Sequence, residues 1–215
     1  MSEIVLMGDP RVAGIPVVES GEPLVDAATG GVLVDRRYAT PAGTWRLVRA
    51  GVRDRLAVAA AALPDGLRLL LVEGHRLPSQ QLAHFTEYRD ELAAADPGLS
   101  AAELDRLASR YIAPPGVAPH TAGAAVDLTL CTDAGVELDM GTRVNATPEE
   151  SSLRCYTAAP DLDDDARADR DLLCRVLAAA GLVNYPTEWW HWSYGDRYWA
   201  LQTGAPTALY GPVER

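Results

Sequence analysis

The chain has four histidines, His75, His84, His120 and His191, and two of them keep company that could do metal chemistry. A water-activating zinc site commonly takes three protein ligands, mostly His with one carboxylate, and leaves a position open. His120 opens the run His120-Thr121-Ala122-Gly123-Ala124-Ala125-Val126-Asp127. Gly123 permits a sharp turn, and Asp127 then falls inside an apolar stretch. An ionised carboxylate there is costly to bury unless it is paired or metal-bound. On this pattern alone, an Asp that meets an Arg or a backbone cap is a better reading than a ligand, since structural pairing is common for such groups.

The second context is Glu188-Trp189-Trp190-His191. Apolar surroundings raise a carboxyl pKa, which suits a general base working near neutrality. In a regular strand Glu188 and His191 would point to opposite faces, so a shared site requires a bulge or turn between them. A surface Glu beside a core His under aromatic packing explains these residues equally well by themselves. His75 and His84 stand alone, and a lone His is more often structural or solvent-facing. Cys131, Cys155 and Cys174 are odd in number and far apart. They read as buried structural thiols, not as a disulfide framework or a thiolate metal site.

These residues need elements to hold them. The sequence up to about Gly43 is rich in Gly, Pro and short Val runs, and reads as irregular structure with short strands. Val52 to Leu63 is Ala-rich and stops at Pro64, which predicts a helix. Leu69 to Val72 predicts a strand buried on both faces, with Arg68 at its entrance. Gln80 to Ala95 predicts an amphipathic helix. Ser100 with Glu103 makes a capping box for another, running to about Tyr111. Ala124 to Leu130 predicts a core strand carrying Asp127 at its middle. The acidic run Asp161 to Asp165 suits a helix start, with Ala166–Ala180 as the helix and Gly181 as its stop. Val183 to Tyr198 is dense in aromatics and predicts one or two strands around a turn at Gly195-Asp196. Helices and strands mix without strict alternation, so the expected class is α+β: an antiparallel or mixed central sheet with helices packed on it.

With 215 residues, one domain covering the whole chain is expected. Hydrophobic residues at 48% and charged residues at 23% make a folded chain the default. A net charge of -11 without a basic cluster argues against a nucleic-acid partner and against docking on an anionic membrane. All the basic residues are Arg, which excludes Lys Schiff-base or P-loop Lys chemistry. No apolar run approaches a membrane span. The start, Met1-Ser2-Glu3-Ile4-Val5, lacks the pattern of a secretory leader, so a cytoplasmic protein is expected. Nothing in the sequence sets the oligomeric state.

The order His-x-x-Gly-x-Ala-x-Asp-Leu-Thr-Leu followed downstream by Glu-x-Trp-His resembles the D-alanyl-D-alanine dipeptidase family. These are the zinc dipeptidases associated with vancomycin resistance, kin to zinc D,D-carboxypeptidases and to the hedgehog signalling domain. Glu73-Gly74-His75-Arg76-Leu77-Pro78, Tyr38-Ala39-Thr40 and Asp139-Met140-Gly141-Thr142 are similar to further family segments, in family order. The resemblance implies a hedgehog-like or D,D-peptidase-like fold and hydrolysis of a small peptide such as D-Ala-D-Ala. It implies one Zn2+ per chain, held by His120, Asp127 and His191. It makes Glu188 the general base for the zinc-activated water and the acid that protonates the leaving amine, and Arg76 the group that steadies the oxyanion. Tyr38, His75, Ala118 and Asn145 would lie around the substrate.

Two positions depart from the family. Ala118 stands where it carries Ser, and Asn145 where it carries Asp. In the family both groups help hold the substrate's free ammonium. That departure favours a second expectation, a related carboxypeptidase or amidase acting on an N-blocked or biosynthetic-pathway substrate. A third is a non-catalytic binding module on the same fold, against which Glu188 and Arg76 argue, since a pure binder needs neither.

Overall fold

Apolar runs and their breakers set the elements of the computed structural model, which describes residues 4–214. The start read above for a leader, residues 1–3, lies outside them. In chain order the elements are α1 (Pro10–Ala13), β1 (Leu24–Asp26), β2 (Leu33–Val34), β3 (Leu47–Arg49), α2 (Ala50–Ala61) and β4 (Leu67–Glu73), followed by α3 (Pro78–Ala95), α4 (Ala101–Ala108), β5 (Ala125–Thr132), α5 (Asp164–Ala179), β6 (Val183–Tyr185), β7 (Glu188–Ser193) and α6 (Arg197–Thr203). Short 3-10 turns cover Ala27–Gly30, Thr44–Arg46 and Pro119–Ala122. No described helix is long and apolar enough to cross a membrane.

The fold is α+β. Its five-stranded sheet runs β2-β4-β5-β7-β6, and a separate two-stranded ribbon pairs β1 with β3. β2 joins β4 in parallel, whereas the other pairings of the large sheet are antiparallel. Side chains alternate across a strand, and β5 uses that alternation fully. Val126, Leu128 and Leu130 enter the main core with Leu69 and Leu71 of β4, against Val52 and Leu56 of α2 and Leu173 and Leu177 of α5. Asp127 and Thr129 take the opposite face, yet they are buried too.

Several predicted boundaries shift for physical reasons. The capping box at Ser100 and Glu103 forms, but α4 stops three residues short of Tyr111, where the Ser109 hydroxyl bonds back to the Arg106 carbonyl. The aromatic C-terminal run does form two strands, but their turn falls at Pro186-Thr187. Gly195-Asp196 is not that turn: Asp196 caps α6, accepting from Tyr198 N at 2.9 Å and Trp199 N at 3.2 Å. Cys131 and Cys155 are buried as expected, whereas Cys174 is only partly so.

Arg170 of α5 is 1% exposed and has no carboxylate partner among the described residues. It donates to the carbonyls of Met140 (2.8 Å), Tyr156 (2.8 Å) and Arg154 (2.9 Å), and its guanidinium lies 5.3 Å from the Trp189 ring centre. Burial, then the charge of Arg167, brings its pKa down to about 10. This side chain ties the 140–156 segment to α5 and to β7. Arg170→Met keeps much of the volume but strands three carbonyls, that of Met140 buried and those of Tyr156 and Arg154 partly so, each worth about 1 kcal/mol. The expected loss is about 3 kcal/mol, or roughly 6–12 °C in Tm for a chain of this size. Thermal denaturation checks it, and a loss below about 1 kcal/mol would mean that water reaches those carbonyls.

Candidate metal centre

Three neighbouring strands line up one acidic-imidazole row. In register, Asp127 of β5 stands opposite His191 of β7 on one side and Glu73 of β4 on the other. Cross-strand partners share a face, so the three side chains emerge together. A regular β4 would not allow this. Leu71 pairs with Leu128 and Glu73 with Asp127, so two steps on β4 match one on β5. That bulge at Val72 turns Glu73 to the site face; without it Val72 would stand opposite Asp127.

A second irregularity serves Glu188. β6 and β7 pair Asn184 with Trp192 but Tyr185 with Glu188, a jump in register. Asn184 spans the excursion, its Nδ2 donating to the carbonyls of both Glu188 and His191 at 3.0 Å. Trp189 N donates to the Cys155 carbonyl and its indole N–H to Thr142. The shift brings Glu188 and His191 to one side, with Glu188 Oε2 3.7 Å from His191 Nδ1. This is the bulge that Glu-x-x-His requires.

His120 arrives from the 3-10 turn before β5. Gly123 ends that turn at φ +65, a left-handed backbone that favours glycine, and a Cβ there would sit 2.3 Å from Leu24 Cδ2, so the Leu24 side chain would have to move. The His120 Nδ1 bonds the Gly74 carbonyl at 2.7 Å, which leaves Nε2 to face the row. Gly74 is equally constrained, because a Cβ there would meet the Leu47 carbonyl oxygen at 2.5 Å.

The result is a triangle of buried donor atoms. His120 Nε2 is 3.2 Å from His191 Nδ1 and 3.3 Å from Asp127 Oδ1, and His191 Nδ1 is 2.9 Å from Asp127 Oδ1. Tetrahedral zinc with bonds of about 2.0–2.1 Å spaces its nitrogen and oxygen ligands about 3.3 Å apart. The donor set and its spacing therefore fit such an ion. Among the described residues this is the group of His, Cys, Asp and Glu able to hold a metal. His191 Nε2 and Glu188 Oε1 are buried without a hydrogen-bond partner there.

The electrostatics follow from burial and charge. Burial alone would raise the Asp127 carboxyl, but His120 and then His191 outweigh it and hold it well below the usual range. Burial lowers His191, whereas at His120 Asp127 overcomes burial and raises the imidazole. Burial, then the Asp127 charge, push the Glu188 carboxyl well up, with Arg76 pulling the other way.

Arg76 lies between β4 and α3 and is 9% exposed. Its Nε and one terminal nitrogen grip the two Glu73 oxygens at 2.8 and 2.6 Å, and the other nitrogen donates to Gln81 Oε1 at 2.8 Å. That fork is fixed before any substrate arrives. Burial would lift Glu73, but Arg76 reverses it and keeps the carboxylate charged.

A cavity of about 370 Å³ opens over the row. Its lining brings together every candidate site residue named from the sequence: His120, Asp127, His191, Glu188, Arg76, Tyr38, His75, Ala118 and Asn145. Asn145 Nδ2 donates to the Tyr38 hydroxyl at 3.1 Å, and His75 Nε2 lies 3.1 Å from the Val213 carbonyl. Sequence reasoning missed Glu73 and Gln81 as the clamps on Arg76, and His84 as part of the lining. A Glu closing an apolar strand three residues before an Arg was the available signal for Glu73. Gln81 and His84 sit on α3 without one.

A family model described as D-ala-D-ala dipeptidase matches residues 31–205. The chain is similar to a D-alanyl-D-alanine dipeptidase of Synechocystis sp., 29% identical over 93% of this chain and 95% of that one. A D-alanyl-D-alanine dipeptidase of Escherichia coli is 36% identical over 34% of this chain and 35% of its own. Among solved structures, a vancomycin-resistance D,D-pentapeptidase in complex with Zn(II) matches with 17% identity and a TM-score of 0.38 over 90% of each chain. A related protein in complex with D-alanine-D-alanine matches with 19% identity and a TM-score of 0.36, over 77% of this chain and 81% of that one.

Proposed function

Because the chain belongs to the D-Ala-D-Ala dipeptidase family of peptidases, we propose that it hydrolyses a short D-Ala-D-Ala-type peptide with one zinc ion held by His120, Asp127 and His191. One observation carries the reading: three buried donor atoms converge at zinc-ligand spacing beside a buried carboxylate that has one oxygen unpartnered among the described residues. We propose further that residues 1–215 act as one catalytic domain, since the cavity lining runs from Met7 to His191.

Two imidazoles and one carboxylate would hold the ion, which when bound supplies Lewis-acid polarisation of the water and of the scissile carbonyl. The other steps belong to the chain's own residues. Glu188 takes a proton from the attacking water, and burial that raises its proton affinity makes it an effective acceptor. As the carbonyl carbon becomes tetrahedral, negative charge grows on its oxygen. Arg76, held in place by Glu73 and Gln81, supplies positive charge there without reorganising. The carbon–nitrogen bond then breaks, and Glu188 hands its proton to the leaving amine.

Release of D-Ala from D-Ala-D-Ala and from its N-acetyl derivative tests the proposal. Hydrolysis should stop with chelator and return when zinc is added back. Zinc-loaded protein that cleaves neither compound would sink it, and a binding module on this fold would then be the better reading.

A further inference from the structure

We infer that the cavity is shaped for a peptide whose amino end is acylated, not for one that presents a free ammonium. The inference rests on the peptidase reading above and concerns the part of the substrate that lies away from the broken bond. An ammonium that leaves water needs a carboxylate, or several well-placed acceptors, to make up for lost hydration. Among the described residues the lining holds three carboxylates, Glu73, Asp127 and Glu188. Each is spent on chemistry. Both Glu73 oxygens are taken by Arg76, Asp127 faces two imidazoles, and Glu188 stands beside His191 as the proton carrier.

The next acidic residues along the chain turn elsewhere. Glu149 holds Arg110 and accepts from the Tyr88 hydroxyl at 2.5 Å. Glu150 receives two bonds from Arg143, at 3.1 and 2.6 Å. Neither lines the cavity.

One neutral polar pair on the lining is Asn145 with Tyr38, and further neutral groups such as Thr40, Thr44 and Gln80 lie on the same wall. Asn145 adopts φ 60, a left-handed backbone that both Asn and Asp tolerate. The backbone therefore accepts a carboxylate at this position, yet an amide stands there. Ala39, Ala118 and Ile112 add small apolar surface to the same lining. A secondary amide suits these groups. Its carbonyl can accept from the second Asn145 N–H or from the Tyr38 hydroxyl, and its acyl carbon can rest on the alanines. An ammonium would find neutral acceptors only, in a cavity that already holds the Arg76 charge.

The test compares kcat/KM for D-Ala-D-Ala and N-acetyl-D-Ala-D-Ala on zinc-loaded wild type and on Asn145→Asp. Wild type should cleave the acetylated compound at least as efficiently as the free one. Asn145→Asp should move the ratio toward the free dipeptide by roughly ten- to a hundredfold, the usual worth of a charge-assisted bond. A wild type that prefers the free dipeptide tenfold or more overturns the inference while leaving the peptidase reading intact. So does a ratio that Asn145→Asp leaves unmoved. If neither compound is cleaved, the peptidase reading itself falls and this inference falls with it. Should the variant not fold, the wild-type ratio alone decides.

Discussion

Glu188→Gln is expected to lower kcat by about 10²–10⁴-fold while the protein keeps its metal. Gln preserves the volume and planarity of the side chain, so its fit in the cavity wall is retained. What is lost is the capacity to take up and return a proton. If Glu188 served only packing, an isosteric change would cost little rate. The carboxyl is 5% exposed, and one of its oxygens is unpartnered among the described residues. Steady-state kinetics with metal analysis of the same sample decides the matter. A rate within tenfold of wild type would remove Glu188 from the mechanism, and loss of zinc would instead make it a ligand.

The second large effect is expected from the imidazoles. His120→Ala and His191→Ala together should leave no stoichiometric zinc and no hydrolysis above background. Removing two of three ligands leaves Asp127 as a buried carboxylate with no imidazole partner, so the variant should also lose stability, as breaking a buried charge pair typically costs about 3–5 kcal/mol. Wild type stripped by chelator should likewise melt below its zinc-loaded form, because a ligand that binds only the folded state raises its stability. Metal content by elemental analysis and Tm with and without chelator provide the readouts. Zinc that survives the double substitution would place the metal elsewhere in the chain.

Much of this arrangement can be read from the residues. Leu69–Val72 announces a central strand because it is a continuous apolar run near Gly66 and Gly74, and Ala124–Leu130 announces another as an apolar stretch with a single carboxylate at its middle. Ser100 and Glu103 announce α4 because a cap is a local signal. The donor set was legible by type and by its resemblance to a family, whereas the residues alone left Asp127 open between ligand and structural partner. What stayed hidden depends on distant pairing. The bulge at Val72 exists only against β5, and the jump at Tyr185 only against β7. Gly195-Asp196 serves equally as a hairpin turn or as a helix start, and the bonds that Asp196 accepts from Tyr198 N and Trp199 N separate the two. Arg170 carries no mark in the sequence that distinguishes it from the arginines on the surface.

The row Glu73–Asp127–His191 has a kinetic corollary. Its members come from three strands that are far apart along the chain, His191 alone following Asp127 by 64 positions. Closing such loops comes late in entropic terms, since non-local strand pairing has to precede any reward from the contact. The donor triangle therefore cannot form in an early collapsed chain and cannot seed its folding. An ion captured there would act chiefly as a lock on the finished molecule: it would slow the escape from the native state and leave the rate of reaching that state nearly untouched.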